Sequence, residues 1–294
     1  MTIRHLKIFV AIYETGSTTE ASKKLRIAQP SISFALSELE KHYGVQLFER
    51  LAKRLRITDE GEYLYQYARH VIDLFDDMEE NACKLSKESS IRIGSSITIG
   101  NHLLTQYVKQ FRTKYPEVKT TVYIDNTSMI EKMILASRID IGLIEGKANS
   151  QYIISQPFMG NELVMICSPQ HAYARYQSIL PEVLSAEEFI LREEGSAVRD
   201  IFEGLMRAKK IPIQIIWESV STQAIINAVN ENLGVSVLPY GIVKRALERE
   251  RIAIVKIEGL FLDADFNIIY HQNKLLNPAL VNFMELCKQL SHQN

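Results

Sequence analysis

Three short helical patterns with almost nothing between them constrain this chain most. Leu6, Phe9, Val10 and Tyr13 fall on one helical face, and Gly16 is placed to stop that helix. In "STTEASKKLRI", Ser17 or Thr18 can cap a second helix, in which Ala21 and Leu25 form an i, i+4 apolar pair. Residues 26–28 leave room only for a tight turn. Pro30 then stands in the first turn of a third helix, where its missing N–H would be unpaired anyway. Ile32, Leu36, Leu39 and Tyr43 make the buried stripe of that helix, and Gly44 ends it. Two short helices joined by a tight turn, the second amphipathic, make a helix-turn-helix.

The outer side of the third helix carries Gln29, Ser31, Ser33 and Ser37 and almost no charge. Gln and Ser side chains hydrogen-bond base edges and phosphates. Cations flank the turn at Lys23, Lys24 and Arg26. Downstream, "LFERLAKRLRITDEG" alternates basic and apolar residues, as a two-stranded wing does, with Arg50, Lys53, Arg54 and Arg56 clustered there. Residues 1–58 hold ten Lys or Arg against five Asp or Glu, while the whole chain holds 34 against 35. A basic block on an acidic body points to a polyanionic partner for that block, the alternative being a solvated basic face.

The segment "FVAIYETGSTTEASKKLRIAQPSISFALSELEKHYGVQLFERLAKRLRITDEG" resembles the LysR-type transcriptional regulators along its whole length. The landmarks are Gly16-Ser17, Ala21-Ser22, Leu25, Gln29-Pro30-Ser31, Ser33, Leu39-Glu40, Gly44, Leu47-Phe48-Glu49-Arg50, Leu55, Thr58 and Gly61. The resemblance implies a winged helix-turn-helix over residues 1–58, with residues 29–42 in the major groove of double-stranded DNA. The DNA-binding residues expected are Lys23, Arg26, Gln29, Pro30, Ser31, Ser33, Phe34, Ser37, Arg50, Lys53, Arg54 and Arg56. Many family members carry a basic or long polar side chain where Phe34 and Ser37 stand. Base reading is therefore expected from Gln29, Pro30, Ser31 and Ser33. Phe34 either probes a thymine methyl or is buried against the wing.

Residues 59–88 continue as one long helix and its end. Leu64, Val71, Met78 and Leu85 are spaced by seven, and so are Ala68, Phe75 and Ala82. An a/d seam of that length favours a helix pair between subunits, against the alternative of a helix packed only on its own domain. The resemblance implies the same: a linker helix that joins a homodimer, with a homotetramer built from a second interface. Two-fold symmetry then predicts an inverted-repeat operator. RNA polymerase is the further partner expected of such a regulator.

After "SKESS", a polar hinge, the chain alternates strands and helices over residues 89–294. Strands are expected at 91–95, 120–124, within "IDIGLIEG", and at 162–167, 189–192, 214–218, 235–238, 252–257 and 266–271. Helices are expected at 103–115, 128–136 and 278–290, and from near Ala197, Ser221 and Tyr240. Alternation of this kind gives an open α/β sheet. The resemblance implies an effector-binding domain of two α/β subdomains, like the periplasmic solute-binding proteins. The first is 91–160 with 265–294 and the second is 161–264, with crossovers near 157–160 and Ala264.

In an open α/β sheet a ligand sits beyond the carboxyl ends of the strands, and here those ends are rich in hydroxyls. "GSSITIGN", "GSAVRD" and "VSTQA" each open a helix. Such residues either cap helices or bind an anion. The resemblance favours effector binding by Ser95, Ser96, Thr98, Gly195, Ser196 and Thr222. Ile97 stands where many relatives are polar. The effector expected is a small anion or an amino-acid-like metabolite, with no cofactor.

Other classes are weakly served. No Cys/His cluster has metal-ligand spacing, and no G-x-S-x-G elbow or phosphate loop is present. An enzyme with a regulatory head would have to use His102 beside Ser96, or His271 with Cys167. A plain solute-binding module would leave the helix-turn-helix unexplained. Cys83, Cys167 and Cys287 are odd in number and far apart, which fits a reducing cytoplasm. No run approaches the ~20 apolar residues of a membrane span.

Overall fold

The computed structural model describes residues 1–51, 54–83 and 90–291, with backbone alone at 50–51, 54, 77 and 80–83. The chain divides into two compact units, Met1–Glu88 with Leu135–Ser137, and Ser89–Ile134 with Arg138–Asn294. Among the described residues no helix is long and apolar enough to cross a membrane.

The first unit runs α1 (Ile3–Thr15), α2 (Thr18–Leu25), α3 (Gln29–Tyr43), β1 (Phe48–Leu51), β2 (Arg54–Ile57) and α4 (Asp59–Cys83). The punctuation residues do what their chemistry dictates. Gly16 and Gly44 close α1 and α3, Ser17 accepts from the N–H groups of Thr19 and Glu20, and Pro30 stands in the first turn of α3. Phe9, Ile12, Ala21, Ile32, Leu39 and Leu47 close one core. Tyr43, expected in that stripe, is exposed. It lies in the last turn, past the core, and its hydroxyl donates to Met1 Sδ at 3.0 Å. β1 and β2 pair antiparallel from Phe48↔Ile57 to Leu51↔Arg54, forming the wing.

Helix α4 departs from the single seam expected of it. Ala68 and Ile72 are buried in the core of the first unit, and Leu64 packs against it. Phe75 is half-buried, with Lys7 Nζ 5.5 Å from its ring centroid. Tyr63, Tyr67, Val71, Leu74 and Met78 form a separate exposed stripe. The reason is geometric: a straight helix drifts about 20° per heptad, so positions seven apart do not keep one face. Two neighbouring apolar stripes result, one packed on the head and one facing outward. Leu85 and the Ser86–Ser90 hinge, apart from Ser90, lie outside the described residues, as does the side chain of Ala82.

The second unit continues with β3 (Ser90–Ser96), a helical turn α5 (Ile97–Ile99), one π-helical turn (Gly100–Leu104), α6 (Thr105–Lys114), β4 (Lys119–Asp125), α7 (Thr127–Leu135), β5 (Ile141–Glu145) and β6 (Ile153–Met159). Then come β7 (Leu163–Cys167), β8 (Ser178–Ile179), β9 (Glu188–Arg192), α8 (Ala197–Ala208), β10 (Gln214–Ser219), α9 (Thr222–Asn230), β11 (Ser236–Pro239), α10 (Tyr240–Glu248) and β12 (Ala253–Ile257). The chain ends with β13 (Phe266–His271) and α11 (Pro278–Ser291).

One sheet has the order β4-β3-β5-β13-β6, with β13 antiparallel to both neighbours. The other has the order β11-β7-β12-β8. The parallel pair β10-β9 joins it through Ile190 N–H donating to Val235 O and Val235 N–H donating to Glu188 O, both at 2.9 Å. Each sheet has its own apolar core. One gathers Ile93, Leu143, Phe111 and Phe283, the other Met165, Phe189, Phe202 and Val237.

The chain crosses between the sheets twice, after β6 and before β13. The two crossovers hold each other: Leu163 N–H donates to Leu262 O at 2.7 Å and Ala264 N–H donates to Asn161 O at 2.9 Å. The first crossover was expected at 157–160, but Pro157 lies inside β6, opposite Asn267. Proline supplies no ladder donor, and β6 is an edge strand, where that loss is tolerated. The strand is unreadable from its sequence for the same reason.

Asp140, just before β5, ties the first sheet together. It accepts from Arg92 N–H and Nη2, each at 2.7 Å, and lies 2.9 Å from Lys274 Nζ. Burial pushes its carboxyl up, but the bonds and charges of Arg92 and Lys274 outweigh burial and hold it below the usual carboxylate range. That stability is present above the unfolded pKa and is lost as pH falls through the lowered one. Replacing Asp140 with Ala is expected to cost about 2 kcal/mol at neutral pH, the scale of hydrogen bonds to charged groups. Thermal unfolding should show the deficit shrinking below the usual carboxylate range.

Candidate nucleic-acid interface and effector cleft

On α3 the residues Ile32, Ala35, Leu36 and Leu39 face the core, which leaves Gln29, Pro30, Ser31, Phe34 and Ser37 on the outer side. Phe34 is 68% exposed, so of the two alternatives for this residue the solvent-facing one holds. Gln29 Nε2 donates to Ser33 Oγ at 3.0 Å and to Thr18 Oγ1 at 3.3 Å. These bonds engage both N–H donors of the amide and pre-orient its oxygen as a free acceptor. Thr18 thereby joins the surface, a placement its sequence position beside a cap did not reveal. The N-terminus of α3 has no side-chain cap.

Arg26 caps α2 with φ 55° and is exposed, and Arg56 is exposed on β2. Lys23 is paired with Glu20 at 2.7 Å, and Lys24 with Glu14 at 2.5 Å, so these two cations are partly neutralised within the head. The backbone places Arg50 on β1 and Arg54 on β2; Lys53 lies outside the described residues. Arg4, His5 and Ile8 of α1 meet Pro30, Ser31 and Phe34 along an open groove of about 560 Å³. Arg4 was missed because it reads as part of an ordinary first turn.

In the second unit the carboxyl ends of β3, β5, β9 and β10 face the gap between the two sheets. Two hydrogen bonds already span that gap. Ser128 N–H donates to Gly195 O at 3.0 Å, and Asn126 Nδ2 donates to Glu194 O at 3.3 Å. Gly195 has φ 85°, and a Cβ there would stand 2.9 Å from Ser128 Cβ, so only glycine permits this approach. Gly146, just after β5, likewise lies near Ala197 at the start of α8.

The predicted hydroxyls separate into two kinds. Ser95 is fully buried and donates to Ser96 O at 3.1 Å, and Ser221 caps α9 by accepting from Ala224 N–H at 3.2 Å. Those are structural duties. Ser96 Oγ and Thr98 Oγ1 are buried with no hydrogen-bond partner. Ser196 is 4% exposed and makes no side-chain cap to α8, and Thr222 is nearly buried at the start of α9. The cations beside them are engaged. Arg192 makes a buried two-pronged pair with Glu193, at 2.8 and 2.9 Å, and Arg199 pairs with Glu203 at 2.6 Å and with Glu218.

The residues an enzyme would need are not brought together. His102 sits exposed on the π-helical turn. Cys167 and His271 lie on separate sheets, each at the end of its strand away from the crossovers. Burial, with Glu187 nearby, pushes the Cys167 thiol up to about 11.

Known families match this chain twice. Residues 3–62 match "Bacterial regulatory helix-turn-helix protein, lysR family", and residues 86–291 match "LysR substrate binding domain". The chain is a LysR-type transcriptional regulator. It is 34% identical over 289 residues to the uncharacterized HTH-type transcriptional regulator YeiE of Escherichia coli K12, covering 98% of this chain and 97% of that one. A full-length OxyR structure from Pseudomonas aeruginosa shares the fold at TM-score 0.69 and 21% identity, over 98% of this chain and 94% of that one. The Synechocystis CcmR regulatory domain in complex with 2-PG shares it at TM-score 0.64 and 22% identity, over 69% of this chain and 97% of that one. Membership in this family makes the protein a DNA-binding regulator with an effector-binding domain, and not an enzyme.

Near the cleft, Glu131 of α7 is 7% exposed. Its Oε2 accepts from Asn149 N–H at 3.0 Å and its Oε1 has no partner. Burial raises its pKa, Asp200 of α8 adds to that, and the N–H groups of Asn149 and Ser150 oppose it. A raised carboxyl contributes stability below its unfolded pKa, about 4.3, and loses it as pH rises through the folded value. Glu131→Gln should therefore melt higher than the wild type at neutral pH, with the gap closing toward pH 4. A melting-temperature series against pH measures this.

Proposed function

We propose that this regulator reads an inverted-repeat operator with the outer face of α3 and is switched by a small metabolite held between its two sheets. The observation that carries the first part is the exposed, nearly uncharged row Gln29, Pro30, Ser31, Phe34 and Ser37, with Ser33 bonded to Gln29. Gln29 and Ser33 read base edges, and Phe34 meets a thymine methyl. Lys23, Arg26 and Arg56 neutralise phosphates, with Arg50, Lys53 and Arg54 completing the wing.

The outward stripe of α4 supplies an apolar surface for a homodimer. Exposed apolar residues on two edge strands, Val122 and Ile124 of β4 and Ile216 and Trp217 of β10, supply a second surface, as a homotetramer requires. RNA polymerase is the partner that such a bound assembly would recruit or obstruct. The cytoplasm is the compartment for this function, and the buried, free Cys167 and Cys287 accord with it.

The effector reading rests on Ser96 Oγ and Thr98 Oγ1. Buried hydroxyls without partners are costly, and a polar ligand would satisfy them. Ser196 and Thr222 face the same gap from the second sheet, with Ser95 and Gly195 shaping it. Hydroxyls and helix-opening N–H groups suit a small anion or amino-acid-like metabolite, and the CcmR relative was solved with 2-PG.

Arg56→Ala should weaken binding to operator and random duplex alike and lower the slope of log affinity against log salt by about 1. Gln29→Ala should instead relax sequence preference, by about 1–3 kcal/mol at the base it reads. Fluorescence anisotropy on both duplexes over a salt series separates the two. If Arg56→Ala altered only sequence preference, the division between phosphate and base contacts would be wrong.

A further inference from the structure

We propose that Glu145 selects the effector, and that the effector is a small molecule carrying a proton donor beside its oxyanion. This rests on the cleft between the sheets being the effector site.

Glu145 ends β5, a strand whose every residue is buried. Ile141 and Leu143 point into the apolar core of the first sheet. Alternation carries Glu145 onto the same face, two residues further along, opposite Phe266 of β13. There the core ends. Helical turn α5, which follows Ser96 and contains Thr98, packs on β5 from one side. From the other, a Cβ built on Gly146, the residue after β5, would meet Ile201 and Ala197 of α8, the latter one residue past Ser196. Glu145 thus shares with Ser96 the carboxyl edge of the sheet, beyond the Ser95↔Leu143 pairing, where open α/β sheets hold ligands.

The residue is 3% exposed, yet among the described residues its carboxylate has no hydrogen-bond donor and no cation. Arg192, the buried cation at the same cleft, is held on both prongs by Glu193. Two other buried carboxylates of this unit do have cations: Asp140 pairs with Arg92 and Lys274, and Glu193 with Arg192. A carboxylate with no cation of its own is open to a donor that arrives with a ligand.

The chemistry of the cleft then defines the guest. An ionised carboxylate only accepts hydrogen bonds, whereas hydroxyls can donate. Ser96, Thr98 and Ser196, with the N–H groups opening α8, suit an oxyanion. Glu145 demands an ammonium or an acidic O–H next to it. Zwitterionic α-amino acids and hydrogen-bearing oxyanions share this chemistry. A donor-free dianion would set its charge against Glu145 and is rejected.

The test uses the full chain in thermal-shift and calorimetric titrations at neutral pH. Donor-bearing probes are the α-amino acids, hydrogencarbonate and phosphate; donor-free probes are sulfate and succinate. Stabilisation confined to donor-bearing probes is expected, and which of them bind separates amino acids from hydrogen oxyanions. Glu145→Gln should bind the effective probe at least tenfold more weakly and begin to accept sulfate or succinate. Glu145→Asp, which keeps the charge, should still reject the dianions. Equal stabilisation of the wild type by sulfate or succinate, or unchanged selectivity in Glu145→Gln, overturns the assignment. Stabilisation by no probe of either kind overturns the effector reading itself, and the assignment with it.

Discussion

Two backbone hydrogen bonds between the crossover segments organise the regulatory unit. Leu163 with Leu262 and Ala264 with Asn161 bind the outgoing and returning chains to each other. Each sheet can then complete its own core while the pair stays tethered at one narrow place. The carboxyl ends of β3, β5, β9 and β10 are left facing a shared gap. Much that is chemically unusual in this unit gathers there: the unbonded hydroxyls of Ser96 and Thr98, and the left-handed Gly195 against Ser128.

The head works differently. Its core of small helices is tight enough to fix α3, so the outer residues need only be presented. Attraction and reading fall to different groups. In the proposed reading, the exposed cations Arg26 and Arg56 act on any duplex, whereas Gln29, held by Ser33 and Thr18, and the exposed Phe34 act on particular bases. The low charge of α3 is therefore compatible with DNA binding, because the flanking cations supply the attraction to phosphate.

The head was largely legible in the sequence because glycine, proline and a serine cap mark its helix ends by local chemistry alone. The strands of the second unit were legible where they are buried on both faces, as in "IDIGLIEG". Legibility failed where tertiary context overrides local preference. β6 hides behind Pro157, which only an edge strand accommodates. The helix that "GSSITIGN" opens was expected over 103–115, whereas the helical run already starts at Ile97. The heptads of α4 looked like one seam and are two stripes. The hydroxyls could not be sorted in sequence, since caps and ligand contacts use the same residue types; only the bond to Ala224 N–H marks Ser221 as a cap. Glu145 escaped notice as the last letter of a core strand, although a lone charge closing an apolar run was the available signal.

The central claim is that the gap between the sheets and the face of α3 are energetically linked. Linkage is reciprocal: a ligand that changes operator affinity by some factor must have its own affinity changed by the operator by the same factor. The direct measurement is a pair of titrations on the full chain, operator binding with and without saturating ligand and ligand binding with and without operator. Equal factors, differing from one, are predicted. A ligand that fills the cleft while operator affinity and footprint both stay unchanged would contradict the account.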